Sequence, residues 1–120
     1  IETQRLGSPE AMKLGTPFHN FGITLTEALA AFSADPQLNS TMFVIASGGL
    51  RSGLDVAKAL RMGAQLASAA VPFLHAARWG NDAITELISQ WHQQLKICCF
   101  VTGSSDIKAL KTATLLSASA

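Results

Sequence analysis

Two short apolar runs separated by a glycine-bounded helical segment are the feature that most limits what this chain can fold into. The first run, Met42 to Ala46, is continuous and bounded by turn formers, which is typical of a strand buried on both faces. The second run covers Leu66 to Val71, and helical spacing connects the two from Ser52 to Gly63. This order predicts a βαβ unit with parallel strands and a right-handed crossover.

The segments before the first run predict helices and a loop. A serine followed by proline predicts a short helix over Pro9 to Lys13, because proline at the first helical position gives up only a donor that has no partner there. Thr26 is predicted to cap the next helix, which runs to Phe32. The polar segment from Ser33 to Ser40 predicts a surface loop.

Beyond the second run, Pro72 opens a short helix, and a long helix capped by Asn81 or Asp82 follows and stops at Gly103. A last short helix is predicted from Asp106 to Lys111. The apolar side of the long helix is predicted to carry Ile84, Leu87, Ile88, Trp91, Leu95 and Cys98. Its polar side is predicted to carry Glu86, Gln90, Gln93 and Gln94.

Charge and hydropathy exclude several classes of partner. Nine Lys and Arg against eight Asp and Glu give a net charge of +1, which leaves no basic excess to follow a nucleic-acid backbone. The apolar runs are far shorter than the roughly 20 residues that cross a bilayer. The neighbours Cys98 and Cys99 match no metal-ligand spacing and suit a reducing compartment. We therefore expect a cytoplasmic protein with no nucleic-acid or membrane partner.

The segment between the first run and the following helix has the composition of a phosphate site. Gly48 and Gly49 lack the Cβ atoms that would keep a ligand away from the backbone amides, and Arg51 can add a charge-assisted hydrogen bond. Ser52, with Asp55 three residues later, resembles a capping box that would fix the start of the helix. The same residues also suit a tight turn with an exposed arginine.

The second apolar run supports the phosphate interpretation. In (β/α)₈ barrels, phosphate is often held by the loops after strands 7 and 8 and by the start of a short extra helix. Ala69 and Ala70, followed by the helix that Pro72 opens, would bring a second set of backbone amides beside the first. Packing of these alanines within a strand is the alternative.

The motifs then resemble a known family, the FMN-dependent type 2 isopentenyl-diphosphate isomerases, which are (β/α)₈ barrels. The resemblance spans roughly Ile1 to Leu110, and other FMN barrels share a looser form of it. It is carried by Val44 to Leu60 (VIASGGLRSGLDVAKAL), Met62-Gly63-Ala64, Pro72-Phe73-Leu74, Phe18 to Thr24, and Phe100 to Gly103.

The resemblance implies an α/β fold in which residues 1–120 form one partial domain, the C-terminal portion of a barrel with about strands 7 and 8. It implies conversion of isopentenyl diphosphate to dimethylallyl diphosphate by the intact enzyme, with FMN, NADPH as reductant and Mg²⁺ on the diphosphate. No catalytic residue and no metal ligand is assigned within this chain. The FMN phosphate contacts would fall on Gly48, Gly49, Leu50, Arg51, Ala69 and Ala70.

Two positions depart from the family pattern. Val71 stands where related barrels often have arginine, and Gln65 stands where an acid is common. The missing arginine removes one cation from the second half of the phosphate site. Neither change touches the segment from Gly48 to Arg51.

Two other interpretations stay open. The glycine motif alone also suits another FMN-dependent barrel oxidoreductase. Because a barrel typically needs about 250 residues, we expect this chain to be a piece of a longer protein. Two strands cannot close a barrel and leave apolar edges, so we also expect self-association, either as a homo-oligomer or as a non-catalytic fragment.

Overall fold

The computed structural model describes residues 7–116, and that range contains a two-stranded parallel sheet, seven α-helices and one 3₁₀ turn. The strands are β1 (Ile45–Ser47) and β2 (Leu66–Ser68). The 3₁₀ turn covers Thr16–Phe18. The helices are α1 (Pro9–Gly15), α2 (Leu25–Ala34), α3 (Pro36–Thr41), α4 (Gly53–Arg61), α5 (Val71–Ala77), α6 (Asn81–Val101) and α7 (Ile107–Leu110).

The predicted βαβ unit is confirmed. Strands β1 and β2 pair in parallel with Ile45 opposite Leu66, and α4 connects them. Just before the strands, Gln65 and Val44 form two hydrogen bonds. The Val44 amide donates to Gln65 Oε1 at 2.6 Å. The Gln65 amide donates to the Val44 carbonyl at 2.9 Å. Glutamine at position 65 therefore supplies the acceptor that holds the start of β1.

The expectation that the first strand is buried on both faces is wrong. Ala46 is buried against the helices, whereas Ile45 and Leu66 on the opposite face are 55% and 52% exposed. Side chains alternate between the two faces of a strand, and helices within residues 7–116 cover only one of them. The buried core on that side consists of Leu29, Ala46, Leu50, Ala59 and Ala64.

Helix α4 lies between the sheet and the long helix α6. Its Ala59 packs in the core beside the sheet, while Ala57 packs with Cys98 of α6 and Leu110 of α7 in a second small core. The side chains are small, so the two helices approach closely. Trp91 is buried as predicted, and its ring meets that of Phe73 edge-on with centroids 5.3 Å apart.

Two predictions for the segment before the sheet are wrong. The cap of α2 is Thr24 rather than Thr26, because Thr24 and Glu27 form a capping box in which the Thr24 amide donates to Glu27 Oε2 at 2.7 Å. That hydrogen bond lowers the pKa of Glu27. The predicted loop from Ser33 to Ser40 contains helix α3, since Asp35 accepts from two amides of its first turn.

For the helices that follow β2, the sequence predicted the ends better than the starts. Helix α6 begins at Asn81, so neither Asn81 nor Asp82 caps it, and Gly80 precedes it without a side-chain cap. It ends at Val101, and Gly103 has the predicted left-handed backbone with φ +65°. The last helix was predicted to begin at Asp106, but α7 begins at Ile107, and the side chain of Asp106 caps it. In the described part of the chain, every helix is too short or too polar to cross a lipid bilayer.

Candidate phosphate site

The glycine loop, Gly48–Arg51, leaves the carboxyl end of β1. Gly48 and Gly49 both lie in the left-handed region, with φ of +103° and +77°, a conformation that side-chain-bearing residues adopt at a cost of about 1–2 kcal/mol. A Cβ built on either glycine would meet no atom within 4 Å. The backbone conformation, and not crowding, therefore requires glycine here, and the space beside the loop is open to a ligand.

The second loop, Ala69–Ala70, leaves β2 at the same edge. The parallel register places Ser47 opposite Ser68, and paired strands lie about 4.8 Å apart, so the next residues of both strands emerge side by side. The structure thus brings the six predicted contact positions to one edge of the sheet. Leu50 differs from the others because its side chain is buried in the core, which leaves only its main chain to face a ligand.

Side chains of α4 fix the end of the glycine loop. Asp55 Oδ2 accepts from the Arg51 amide at 3.0 Å and from Ser52 Oγ at 2.8 Å, while the Asp55 amide donates to Ser52 Oγ at 3.2 Å. The predicted capping box is confirmed in its serine half. Its carboxylate reaches one residue further back than in the standard motif, to the Arg51 amide, and this hydrogen bond is the largest cause of the lowered pKa of Asp55.

The amides at this edge fall into two groups. The protein itself supplies acceptors for the amides of Arg51, Gly53 and Asp55. Within residues 7–116, no protein acceptor takes the amides of Gly49 and Leu50. The Arg51 side chain is exposed. In the glycine loop, two backbone donors and one guanidinium are thus available to an anion.

Sequence reasoning missed two residues that shape this edge. Gln94 was predicted on the polar side of the long helix, but it faces inward, and its Oε1 accepts from the Gly53 amide at 2.6 Å. Its spacing, three residues after Trp91 and four before Cys98, was the available signal. At Gly53, a Cβ would overlap the Trp91 carbonyl oxygen and lie 2.8 Å from Gln94 Cβ, so only glycine allows α4 and α6 to pack this closely.

A shallow cavity of about 210 Å³ lies on the helix side of the glycine loop. Side chains of α2 and α4 line it together with Gly48, Gly49 and Leu50, and Lys58 supplies its cation. Neither Arg51 nor the second loop contributes to its lining. The cavity therefore shares three residues of the glycine loop with the candidate phosphate site, whereas the other three predicted residues lie outside its lining.

The remaining titratable residues form no second site in the described part of the chain. No group of three or more His, Cys, Asp or Glu side chains in residues 7–116 could hold a metal ion. His19, His75 and His92 are all exposed. Burial raises the pKa of the Cys98 thiol, with a smaller contribution from Cys99, so Cys98 stays protonated and packs as a small apolar side chain.

Comparison with known proteins identifies a family and several relatives to which this chain is similar. A family model described as FMN-dependent dehydrogenase matches residues 22–117. The isopentenyl-diphosphate delta-isomerase of Xanthobacter autotrophicus is 39% identical over 116 residues, which are 96% of this chain and 32% of the relative. That of Chlorobium chlorochromatii is 44% identical over 101 residues, 81% of this chain and 28% of the relative.

A third relative has a comparable level of similarity. The isopentenyl-diphosphate delta-isomerase of Archaeoglobus fulgidus is 38% identical over 111 residues, which are 92% of this chain and 30% of the relative. This chain therefore spans about a third of the length of the curated relatives it matches.

Proposed function

Since this chain belongs to the FMN-dependent dehydrogenase family, we propose that it supplies the FMN phosphate site of an enzyme that converts isopentenyl diphosphate to dimethylallyl diphosphate. Residues 1–120 are then one partial domain, the C-terminal portion of a (β/α)₈ barrel with about strands 7 and 8. The names of the relatives support the reaction. The parallel βαβ unit supports the barrel, because such barrels consist of successive βα units.

The observation that carries the proposal is the position of the two loops at one edge of the sheet. The register of Ser47 with Ser68 sets the glycine loop beside the second loop, at the carboxyl ends of the strands, where barrel enzymes bind their phosphates. The left-handed glycines leave open space there, and Arg51 offers a positive charge. A phosphate monoester with a charge near −2 fits two free amides and one guanidinium.

In this proposal Gly48 leaves open space for the phosphate, and the other three residues of the glycine loop donate to it. The amides of Gly49 and Leu50 donate to phosphate oxygens, and the Arg51 side chain adds a charge-assisted hydrogen bond. Asp55 holds the main chain of Arg51 in place, which fixes the direction in which that side chain leaves the loop. Bound FMN would supply the reactive flavin ring, and the residues of this chain would hold its phosphate end.

NADPH and Mg²⁺ complete the proposed activity, but we assign their contacts to other parts of the enzyme. The described residues offer no set of ligands that fits Mg²⁺, so no step of the reaction is derived through the metal. The phosphate site likewise contains no carboxylate pair with free oxygens, since Asp55 is engaged by the loop. We propose that acid–base residues come from the earlier strands.

The uncovered face of the sheet supports the view that more of the protein packs here. Ile45, Leu66 and Phe43 are each at least half exposed, and exposed apolar strands normally meet further structure. We propose that the other barrel strands cover this face in the intact enzyme. Size-exclusion chromatography tests this: the 120-residue chain alone should self-associate, whereas a monomer that unfolds cooperatively would contradict the proposal.

The test of the phosphate site is Arg51→Ala in the full-length protein. Loss of a hydrogen bond to a charged group costs about 1.5–3 kcal/mol, so the FMN dissociation constant should rise roughly 10- to 150-fold. Arg78→Ala is the matched control because Arg78 is exposed at the end of α5. Arg61 does not suit this purpose, since its side chain holds the Ala113 carbonyl.

The outcomes separate the competing functions. An unchanged FMN dissociation constant in Arg51→Ala would contradict the phosphate site. Formation of dimethylallyl diphosphate from isopentenyl diphosphate by the full-length protein would support the isomerase. Oxidation of a hydroxy acid in its place would favour the alternative, another FMN-dependent barrel oxidoreductase.

A further inference from the structure

We propose that Gln94 is a positioning residue for the phosphate end of FMN, acting through Gly53 although it lies on a different helix from the glycine loop. This inference rests on the proposed function, because it assigns a role within the same phosphate site. Gln94 has no predicted contact with the cofactor. Its part is to hold the first turn of α4, from which the glycine loop takes its direction.

The contact that carries this inference joins residues that are 41 positions apart. Gln94 Oε1 accepts a hydrogen bond of 2.6 Å from the Gly53 amide. The first amides of a helix have no partner within the helix, and here a side chain of α6 supplies one. Gly53 also lies against the Trp91 carbonyl so closely that a Cβ would not fit.

Water cannot easily replace the glutamine at this point. Gly53 is buried, and the backbone of Trp91 and the side chain of Gln94 occupy the space beside it. A buried amide without an acceptor is unfavourable. Removal of the Gln94 oxygen should therefore force the first turn of α4 to move until its amide reaches another acceptor.

A movement of this turn would also displace the groups that donate hydrogen bonds to the phosphate. Gly53 is two residues beyond Arg51, and Asp55 of the same turn accepts from the Arg51 amide. A shift of this turn changes where the Arg51 side chain starts and how the amides of Gly49 and Leu50 point. Displacements of about 1 Å in a positioned group can weaken its function considerably.

A second consequence concerns where the phosphate can sit. Because Gln94 and Ser52 already take the amides of Gly53 and Asp55, the first turn of α4 has fewer free donors for an anion than an uncapped helix. The phosphate should therefore bind over the glycine loop rather than on the helix axis. Gln94 thus helps to select the binding position as well as to hold it.

The experiment compares near-isosteric variants in the full-length protein. Gln94→Leu keeps the size of the side chain but removes the acceptor, and Gln94→Glu keeps an acceptor at the same reach. Gln93→Leu is the matched control, because Gln93 is exposed on the neighbouring position of α6. Fluorescence titration measures FMN and riboflavin affinity, and hydrogen exchange of the Gly53 amide is measured in the ligand-free protein.

We expect Gln94→Leu to raise the FMN dissociation constant about three- to tenfold, with the riboflavin constant unchanged within about twofold and faster exchange at Gly53. Gln94→Glu should restore FMN affinity, and Gln93→Leu should leave both flavins unaffected. Equal weakening of FMN and riboflavin would reduce Gln94 to a residue that only stabilises the fold. Failure of Gln94→Leu to fold, with a folded Gln94→Glu, would overturn the positioning role in the same way.

Arg51→Ala distinguishes this inference from the proposed function. If Arg51→Ala weakens FMN binding while Gln94→Leu does not, only the role of Gln94 is wrong. If neither variant changes FMN affinity, the phosphate site itself is wrong.

Discussion

The glycine loop and the second loop leave the sheet at the same edge, yet side chains of the protein fix only the first. Asp55, Ser52 and Gln94 hold the residues where the glycine loop enters α4. At the second loop, Ala70 begins α5 without a side-chain hydrogen bond, and α5 has no buried residue. Side-chain hydrogen bonds therefore fix the glycine loop, whereas the second loop lies on the surface of the core.

This difference shows how one edge of the sheet can combine a firmly held loop with a loop that tolerates substitution. Donors that bind a small anion must be held in a fixed arrangement, and the glycine loop meets that condition through contacts that reach as far as α6. The second loop contributes only main chain from Ala69 and Ala70. We infer that substitutions in and behind the glycine loop should change both stability and FMN binding, whereas substitutions in the second loop should change little.

The largest expected effect on the free energy of unfolding is that of Gly53→Ala. Alanine would overlap the Trp91 carbonyl oxygen, and such overpacking lowers the free energy of unfolding by about 1–3 kcal/mol. Helix propensity alone favours alanine over glycine by about 1 kcal/mol, so a net loss identifies the contact with α6. Urea denaturation of the full-length protein measures it.

The control for Gly53→Ala lies in the second loop. Ala70→Gly at the start of α5 should leave the free energy of unfolding within about 0.5 kcal/mol, because glycine is at least as favourable as alanine at a helix cap. If the two substitutions had equal effects, the contrast between the loops would not hold.

The next effect is expected at Gly49. Because Gly49 has φ +77°, Gly49→Ala should lower the free energy of unfolding by about 1–2 kcal/mol. Gly49→Asn should have a smaller effect on stability, since asparagine tolerates this conformation. Both side chains would enter the space beside the loop, so both should weaken FMN binding. Normal FMN affinity in Gly49→Asn would show that the phosphate does not sit over this residue.

A smaller, pH-dependent effect is expected at Asp55. Its pKa is lowered in the folded protein by the hydrogen bond from the Arg51 amide, so its contribution to stability is present above the unfolded pKa of about 3.9. That contribution is lost as the pH falls through the lower, folded pKa. Stability and FMN affinity should therefore not vary through Asp55 between about pH 5 and 8.

Asp55→Ala tests this interpretation. Loss of the helix-capping acceptor should lower the free energy of unfolding by about 1 kcal/mol at pH 7, and the difference from the parent protein should shrink as the pH falls below about 4. The measurement is urea denaturation across this pH range. A difference that stays constant at all pH values would mean that the carboxylate charge does not contribute.

The parts of this arrangement that sequence reasoning predicted are those set by local signals. Strand–helix–strand spacing predicted the parallel pair, and Ser52 predicted the start of α4, because turn residues and caps act within a few positions of the chain. Thr24 was missed because Thr26 also precedes a helical run, and the choice depended on which threonine had Glu27 three residues later.

The contacts that sequence reasoning missed are long-range. Whether Gln94 faces solvent or α4 depends on how two helices cross, and the lack of a Cβ at Gly53 matters only once Trp91 lies against it. Ile45 was predicted to be buried because continuous apolar strands normally are. Ile45 is instead 55% exposed, because the helices of residues 7–116 pack against the other face of the sheet. The phosphate contacts themselves stay predictions.

The smallest expected effect belongs to Val71→Arg, which would place a cation directly after the second loop. Val71 is the exposed first residue of α5. A positive charge at the start of a helix is unfavourable by a few tenths of a kcal/mol, so the ligand-free protein should be slightly less stable. FMN affinity should nevertheless rise about two- to fivefold, since an exposed ion pair contributes about 0.3–1 kcal/mol. The gain should fade as salt is raised, because salt screens exposed charges.

Val71→Gln is the control for side-chain length. If titration at low salt showed no gain for arginine over glutamine, the phosphate would not lie near the second loop, and the glycine loop alone would form the site.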